Sequence, residues 1–313
     1  MSVQYLITHS GSFHADEVCA AVILSRVFPN ASVVRTRDDR VIEDAASVSV
    51  IFDVGRVYDP QKNRFDHHMR GAREREDGTV YSSFGLIWDH FGREYLRALG
   101  VDDEDVEAVW TRFDSEFVLP VDQIDTGTLS PSQIGVAGGI TISALIATMN
   151  PAFDDSTPKN QDAAFNLAMK LAQTAVRARI TALTADVRAD KGVEAAIRAN
   201  GDDPVLILPY SLDAQPTIDR LGARHVLVIV TPSSSGGWGV TVARTSANTY
   251  ENVIDMPDAW AGLSGPELES VSGVPGATFC HSAKFYAAAN TKEAALEMAR
   301  IAVESALDAF PSP

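Results

Sequence analysis

Short apolar runs alternate with a helical pattern over residues 1–55. The apolar runs cover residues 3–8, 32–35 and 48–54, and they predict three β-strands. Between the first two runs, apolar residues at positions 18, 19, 22 and 23 have helical spacing, which predicts a helix over residues 16–28 that Pro29 ends. This strand–helix–strand order predicts a parallel sheet and therefore an α/β fold.

The rest of the chain is predicted to be helical until a second group of strands begins near Asp202. We expect helices over residues 82–99, 103–117 and 160–200, strands over residues 205–208, 226–230 and 238–244, and a last helix over residues 291–309. Residues 151–158 are the expected linker and residues 233–237 the expected hairpin tip. The predicted domains are a parallel-sheet domain over residues 1–158, connecting helices over 159–200 and a second, smaller α/β domain over 201–313.

The strongly acidic balance of the chain bears on its substrates. The formal net charge is −16, so the surface does not attract long polyanions by itself. A small or single-stranded substrate therefore fits better than a nucleic-acid duplex, although acidic charge that keeps a protein soluble explains most of the excess. The only cysteines, Cys19 and Cys280, form no CxxC pair, which argues against a disulfide scaffold or a zinc ribbon and indicates a reducing compartment.

A segment without charged residues runs from residue 126 to residue 153. Its Gly, Ser, Thr and Pro content is unlike the run of about 20 apolar residues that a membrane span needs. We therefore expect a buried loop and helix here. The N-terminus has no basic region followed by an apolar stretch, so we expect no signal peptide, a soluble protein and a cytoplasmic location.

Histidines and carboxylates cluster in two short stretches of the chain. Four of the seven histidines lie in residues 9–17, HSGSFHADE, and in the DHH tripeptide of residues 66–68. Imidazole and carboxylate together suit Mn²⁺, Fe²⁺ or Zn²⁺, and a lone histidine is more often a core or surface residue. The first stretch as a group, with His9, His14 and Asp16, therefore predicts metal ligands.

Asp53 ends the third apolar run and is costly to bury without a partner. It is either a metal ligand, with a bridging position between two ions, or a turn residue ahead of Gly55. In the DHH stretch, His67 and His68 would point in opposite directions from an extended chain, so one would bind metal while the other contacts substrate. Asp66 would orient an imidazole, and the alternative is an exposed histidine pair.

Two further pairs of residues are candidates with open alternatives. Asp122 and Asp125 lie three positions apart, where they share one face of a helical turn, so one is either a metal ligand or a helix-end cap. Arg35 and Arg37 are either phosphate contacts or surface arginines at the end of a strand.

The motifs together resemble the DHH-type metal-dependent phosphoesterases and, more narrowly, the melanocyte-proliferating-gene-one family. Eukaryotic members of that family are described as 3′–5′ RNA exonucleases. The resemblance rests on HxGxFHxDE at residues 9–17, VDxID at residues 121–125 and the stretches at 34–38, 53–55, 58–60, 65–68, 82–87, 260–263, 271–276 and 294–299. It implies a DHH-like catalytic domain in which His9, Asp16, Asp53, His67 and Asp122 hold the metal, Asp53 bridges and His68 faces the phosphate.

The chain departs from the family pattern in its C-terminal part. Where the family carries a glycine-rich HxxGFIGG-like loop, this chain has His281 and then Ser-Ala-Lys284-Phe-Tyr-Ala-Ala. Glycines permit a close backbone approach to phosphate, whereas Lys284 would supply a point charge. Ile254 also stands where the family has an arginine. In the N-terminal cluster, the acidic residues that many DHH enzymes place four and six positions after the first histidine are here Phe13 and Ala15. The ligand role of His14 therefore rests on its chemistry.

These features predict a two-metal phosphoesterase with Mn²⁺, or alternatively Mg²⁺, Fe²⁺ or Zn²⁺, as the cofactor. The resemblance to the family implies that the reaction is 3′–5′ exonuclease or oligonucleotide phosphodiesterase cleavage of short single-stranded RNA or DNA. His68, Asp66 and Arg37 are the expected catalytic residues, and Arg35, His281 and Lys284 the expected substrate contacts. The alternatives are a hydrolase of a small phosphorylated metabolite or nucleotide, and a non-catalytic metal-binding regulatory protein. We expect no membrane partner and consider a homodimer.

Overall fold

The computed structural model describes residues 2–309. It divides the chain into two compact units, with the boundary between Val187 and Arg188. Each unit contains a five-stranded mixed sheet together with helices. The predicted α/β class is therefore confirmed, but neither sheet is purely parallel. The proposed division at residues 158 and 200 stays a prediction.

The sheet of the first unit brings strands from distant parts of the sequence side by side in the order β2-β1-β3-β5-β4. Its strands are β1 (Tyr5–Thr8), β2 (Ser32–Arg35), β3 (Ser49–Phe52), β4 (Tyr58–Asp59) and β5 (Arg64–Phe65). The pairs β1–β2, β1–β3 and β3–β5 are parallel, and the edge strand β4 is antiparallel to β5. As a result, β1, β3 and β5 all end at the same edge of the sheet.

Helices cover this sheet and carry the rest of the first unit. They are α1 (Ala15–Val27), α2 (Asp39–Asp44), α3 (Ser83–Ala98), α4 (Asp103–Phe113), α5 (Leu119–Asp125), α6 (Pro131–Ile134), α7 (Ile142–Ala147) and α8 (Pro158–Asn200). A π-helical stretch, Asp114–Val118, joins α4 to α5. Every residue of α1 from Ala15 to Leu24 is buried, so this helix lies inside the core and its two acidic residues are buried with it.

The second unit begins within α8 and has a different sheet, in the order β6-β7-β8-β10-β9. Its further elements are β6 (Val205–Ile207), α9 (Gln215–Leu221), β7 (Val228–Pro232), β8 (Trp238–Val242), α10 (Gly265–Ser272), β9 (Ala277–Cys280), β10 (Tyr286–Ala289) and α11 (Lys292–Ala309). Only the β6–β7 pair is parallel. Small and apolar residues of α11, among them Ala295, Met298 and Ala302, are buried in the core of this unit.

Most of the predicted elements are confirmed to within a few residues, including α1, α3, α8, α11 and the strands β1 to β3. The β7–β8 hairpin also turns over residues 233–237, where a backbone hydrogen bond joins Ser233 to Gly237. The short strands β4, β5, β9 and β10 were not predicted. Two-residue strands such as β4 and β5 are too short for a period-2 pattern to show.

The helix predicted within residues 126–153 is confirmed by α7, but the predicted burial of this segment is wrong. Val136 and Phe153 are almost fully exposed, at 106% and 97%, and Ile146 is the buried residue of α7. The lack of charge in this segment therefore does not come from burial in the core. Among residues 2–309, no helix is both long enough and apolar enough to span a bilayer.

Candidate metal centre

The parallel strands of the first unit deliver three parts of the chain to one edge of the sheet. His9 follows β1, Asp53 follows β3, and the DHH tripeptide follows β5. Ligands of open α/β sheets bind at this carboxyl edge. Asp53 has a φ of 55°, in the left-handed region that few residues other than glycine adopt. The backbone therefore turns sharply at the point where the carboxylate leaves the strand, and strain of this kind clusters at functional sites.

Asp53 lies at the middle of the cluster. Its Oδ2 is 3.1 Å from Nε2 of His9, and its Oδ1 is 3.2 Å from Nε2 of His67 and 3.4 Å from Nδ1 of His68. The hydroxyl of Ser83, at the start of α3, donates to the same Oδ1 at 3.0 Å. One buried carboxylate thus contacts imidazoles through both of its oxygens. It could therefore link His9 on one side with His67 and His68 on the other.

The N-terminus of α1 supplies the acidic side of the cluster. Glu17 caps the helix by accepting the backbone N–H of His14 at 2.9 and 3.0 Å, and its Oε1 also lies 3.0 Å from Nε2 of His9. Asp16 and Glu17 are buried, whereas His14 is exposed at the rim. The helix start therefore sets two carboxylates against the histidine that ends β1.

Several buried polar atoms in this cluster have no hydrogen-bond partner among the described residues. They are both carboxylate oxygens of Asp16 and Nε2 of His67. Asp16 Oδ2 lies 3.8 Å, and Asp125 Oδ2 3.6 Å, from that same Nε2. Leaving such groups unsatisfied costs about 1–3 kcal/mol each. A divalent cation bound by these nitrogen and oxygen donors would satisfy them, so the residues present fit a metal centre.

The groups that could hold an ion overlap. Potential ligand atoms lie within 4.8 Å of one another in four sets: His9, His14 and Glu17; Asp53, His67 and His68; His14, Asp16 and Asp125; and Asp16, Glu17 and Asp53. Four residues belong to two sets each, namely His14, Asp16, Glu17 and Asp53. The expected histidines and acids, with the exception of Asp122, are therefore brought together within one site.

Burial and neighbouring charges raise the pKa values of some residues in this site and lower those of others. Burial, followed by the nearby carboxylates of Asp53, Asp125 and Glu17, raises the pKa of Asp16 well above its ordinary value. Burial would also raise the pKa of Asp53, but its contacts with His67 and His9 outweigh burial and lower that pKa. Burial lowers the pKa of His9, yet its bonds to Asp53 and Glu17 prevail and raise that pKa to about 10. In the metal-free site these shifts favour the protonated forms of His9 and Asp16 and the ionised form of Asp53.

His67 and His68 do not point in opposite directions, contrary to the expectation from an extended chain. Residues 66–68 follow β5 without continuing it, and the two rings lie 4.2 Å apart with both approaching Asp53. Asp66 causes this turn. Its Oδ1 accepts the backbone N–H of His67 at 2.7 Å and of His68 at 3.0 Å, and its Oδ2 accepts the backbone N–H of Arg56 at 2.6 Å.

Asp66 also orients the side chain of His68. The distance between Asp66 Oδ1 and His68 Nδ1 is 2.8 Å, which fixes the ring and leaves Nε2 without that partner. This bond is the main cause that raises the pKa of His68. The side chain of His68 is 57% exposed, so it remains accessible to a bound molecule. The contact matches the orienting position expected for Asp66, whose role in catalysis stays a prediction.

Asp122 and Asp125 have different surroundings. Both oxygens of Asp122 are occupied: Oδ1 by the N–H and hydroxyl of Ser82 and the N–H of Gly85, and Oδ2 by the guanidinium of Arg75. Asp122 is fully buried and belongs to none of the four potential ligand sets. Asp125 shares a set with His14 and Asp16. The geometry therefore favours Asp125, and the metal-ligand role expected for Asp122 from the resemblance does not fit its contacts.

Arg35 and Arg37 donate hydrogen bonds to the loop between β1 and α1. Arg35 donates to the backbone oxygen of Gly11 at 2.5 Å and to Asp162 at 3.0 Å, and its guanidinium lies over the ring of Phe165. Arg37 donates from Nε to the backbone oxygen of Ser10 at 3.0 Å. Their guanidinium groups therefore fix the turn that leads into α1. The phosphate contact of Arg35 and the catalytic role of Arg37 stay predictions.

His281 and Lys284 belong to the second unit, where His281 Nδ1 and Lys284 Nζ have polar partners. His281 Nδ1 accepts the backbone N–H of Ala283 at 3.0 Å. Lys284 Nζ lies 2.8 Å from both Asp255 and Asp258, which raise its pKa and neutralise its charge. Lys284 also has a φ of 58°, in the region that favours glycine. Its ammonium is thus already paired, so the expected phosphate contact does not fit these partners.

Two residues at the centre were missed as candidates. Glu17 lies in the first acidic stretch of the sequence, and its position as the third residue of α1 is what turns it back toward His14 and His9. Ser83 contacts Asp53 only because α3 begins beside the end of β3. The signal for Glu17 was present in the HSGSFHADE stretch, whereas no local pattern distinguishes Ser83 from other serines.

The chain resembles known proteins over most of its length. A family model, MYG1_exonuc, described as an uncharacterised protein family (UPF0160), matches residues 5–303. The chain is 31% identical to the MYG1 exonuclease of Mus musculus over 325 residues, which cover 94% of this chain and 83% of that protein. It is 30% identical to the MYG1 exonuclease of Homo sapiens over 94% of this chain and 84% of that protein. It is also 30% identical to the MYG1 protein C694.04c of Schizosaccharomyces pombe, over 96% of this chain and 97% of that protein.

Proposed function

Because the chain belongs to the MYG1_exonuc family, we propose that it is a metal-dependent phosphodiesterase that removes nucleotides from the ends of short single-stranded nucleic acids. The name exonuclease, carried by the relatives from mouse and human, supports the nuclease class. The proposal includes 3′–5′ polarity and two divalent ions, with Mn²⁺ as the expected metal. The cytoplasmic location and the homodimer stay predictions.

The observation that carries the proposal is the buried carboxylate of Asp53 between His9 and His67, next to the unsatisfied oxygens of Asp16. His9, Asp16, Asp53, His67 and Asp125 would hold the ions, with Asp53 shared between them and Glu17 and His14 at the edge of the set. Bound divalent ions would lower the pKa of water and neutralise charge on the phosphate.

The side chains around the ligands have their own tasks in this proposal. Water attacks phosphorus, the bond from phosphorus to the leaving oxygen breaks, and that oxygen takes up a proton. His68 is the expected proton donor, because Asp66 holds its Nδ1 and raises its pKa, which favours the protonated ring more than in a free imidazole. Arg35 and Arg37 position the loop of Ser10 and Gly11 and thereby the start of α1.

The test is Mn²⁺-dependent hydrolysis of end-labelled RNA and DNA oligomers, from the dinucleotide upward, by the wild type and by Asp53→Asn. We expect stepwise cleavage from one end by the wild type and a loss of about 10³-fold or more in the variant, since the charge of the shared carboxylate is removed. Asp44→Asn, the same change at an exposed position of α2, is the matched control and should keep full activity.

Labels at the two ends give the polarity. A ladder that shortens from the 3′ end supports the proposed direction, and one that shortens from the 5′ end contradicts it. No cleavage by protein that contains bound Mn²⁺ would refute the nuclease proposal and would favour a small phosphorylated substrate.

A further inference from the structure

A cavity of about 590 Å³ borders the metal centre. One side consists of residues from the centre, namely His14, Asp53, His67, His68 and Asp125. Another part of the lining comes from the uncharged segment around α6 and α7, with Ile134, Gly138, Gly139, Ala144 and Ala147 among its residues. Pockets for small organic ligands measure about 300–1,000 Å³, so the space beyond the metal ligands suits one group of that size.

The lining residues from Ile134 to Ala147 are here called the apolar wall. It contains no charged side chain, and no Lys or Arg is among the described residues that line the cavity. A second phosphate lying against this wall would find no cation to neutralise it, and burying an unpaired charge is costly. The wall therefore disfavours pyrophosphate and other compact polyanions, and it favours an uncharged group attached to the phosphate at the metals.

Ser143 gives the apolar wall one polar contact. Ser143 is one of the lining residues, and its hydroxyl oxygen is buried and has no hydrogen-bond partner among the described residues. A serine hydroxyl can donate one hydrogen bond and accept others. A bound group with one or a few polar atoms would satisfy it, which a purely hydrocarbon group would not do.

We propose that the apolar wall binds the terminal nucleoside of the substrate, with the base against Ile134, Gly139 and Ala144 and a polar atom of the nucleoside on Ser143. This inference rests on the proposed function. It adds that the protein selects nucleotides over compact phosphates by binding the nucleoside. A base presents flat faces of low polarity, whichever base it is, and aliphatic side chains carry no donor pattern that reads its edge. The wall therefore binds all four nucleosides with similar affinity.

The experiment measures binding by calorimetry, so that it does not depend on turnover. Mn²⁺-loaded protein is titrated with nucleoside 5′-monophosphates, with ribose 5-phosphate and with pyrophosphate. The base should improve affinity over ribose 5-phosphate on the order of tenfold, which burial of apolar surface on one face of a base can supply. The four monophosphates should agree to within about threefold, since the wall offers no hydrogen-bond code.

Two variants locate the effect. A Cβ added at Gly139 meets no atom within 4 Å, so Gly139→Leu is expected to fold and to occupy the space of the base. It should bring the affinity for nucleotides down to that of ribose 5-phosphate, whose own affinity should not change. Ser143→Ala should weaken nucleotide binding about two- to tenfold through the lost hydrogen bond. Val136→Ser, at a fully exposed side chain of the same segment that does not line the cavity, is the control.

Equal binding of nucleotides and ribose 5-phosphate by the wild type would overturn the inference, and so would tighter binding of pyrophosphate. Nucleotide binding that persists unchanged in both Gly139→Leu and Ser143→Ala would also overturn it. In each of these cases end-dependent cleavage of oligonucleotides can still occur, and the proposed function then stands. Failure of that cleavage, in contrast, removes the proposed function itself.

Discussion

Asp16 and Asp125 illustrate the cost of keeping several carboxylates together in a protein interior. Burial and the neighbouring carboxylates raise the pKa of Asp16, and burial is also the main cause that raises the pKa of Asp125. A folded-state pKa above the unfolded value means that the protonated acid is favoured by folding. In the metal-free protein this contribution to stability is present at low pH and is lost as the pH rises through the raised pKa. A bound divalent cation would offset this loss of stability, because it binds the ionised carboxylates.

A comparison of Asp122→Ala with Asp125→Ala separates a structural carboxylate from a ligand, with the same chemical change three positions apart. Asp125→Ala should abolish Mn²⁺ binding at one site and leave the metal-free protein at least as stable, since it removes a buried carboxylate next to Asp16. Asp122→Ala should keep Mn²⁺ binding and lower the free energy of unfolding by about 2–4 kcal/mol, because it breaks the bonds to Ser82, Gly85 and Arg75.

Calorimetric titration with Mn²⁺ and denaturant unfolding of the metal-free proteins provide the two measurements. The assignment of Asp125 is refuted if Asp125→Ala binds Mn²⁺ like the wild type while Asp122→Ala does not.

The N-terminus of α3 depends on a close approach that one glycine permits. Gly85 donates its backbone N–H to Asp122, and a Cβ on this residue would lie 2.2 Å from the carboxylate of Asp122. The helix start therefore binds a buried carboxylate directly at its free N–H groups, where the helix dipole favours negative charge. The same helix start places Ser83 against Asp53, so the support of the metal centre and the integrity of α3 are linked.

Gly85→Ala is therefore expected to destabilise the protein by about 1–3 kcal/mol, since the added methyl group forces Asp122 or the helix to move. Gly192→Ala is the matched control in the middle of α8. Its added Cβ meets no atom within 4 Å, and alanine there should stabilise the helix by about 0.8–1 kcal/mol. Denaturant unfolding of the metal-free proteins measures both changes. Equal effects of the two substitutions would contradict the role assigned to Gly85.

The acidic balance of the full chain limits how substrates reach the centre. With a net charge of −16, the protein as a whole repels a polyanion, and the attraction would have to come from metal ions bound within one site. Proteins that bind nucleic acids through many basic side chains lose affinity steeply with salt, because binding releases counterions from the phosphates. This chain is not expected to behave in that way.

We therefore predict that kcat/KM for a long oligomer changes by less than about tenfold between 50 and 200 mM salt, whereas a protein with six to ten phosphate contacts would lose about 10³–10⁵ in affinity. Measuring the same salt series with a dinucleotide separates effects of salt on the metal centre from effects on a longer strand. A steep loss confined to the long oligomer would contradict the prediction and indicate a basic path along the protein.

The sequence was most informative where a residue pattern has a local cause. The helical spacing and the apolar runs predicted α1 and the strands β1 to β3, because periodicity follows from the geometry of each element. The two histidine-containing stretches predicted the chemistry of the centre, because few other roles explain imidazoles and carboxylates in such density. Their meeting point was also predictable, since parallel strands end at one edge of a sheet.

The tertiary contacts assigned individual roles that no local pattern contains. Asp122 and Asp125 look equivalent in sequence, but Arg75, Ser82 and Gly85 occupy Asp122 and leave Asp125 at the centre. Arg35 and Arg37 look like phosphate contacts in the sequence, and the fold adds a hydrogen bond from each of them to the backbone of Gly11 and Ser10, respectively. The uncharged segment likewise looks like core, yet it is exposed and lines the cavity. Which donor meets which acceptor depends on residues that are far apart in the chain. The residue types therefore predict the chemistry, and the tertiary contacts decide which residue is in a position to perform it.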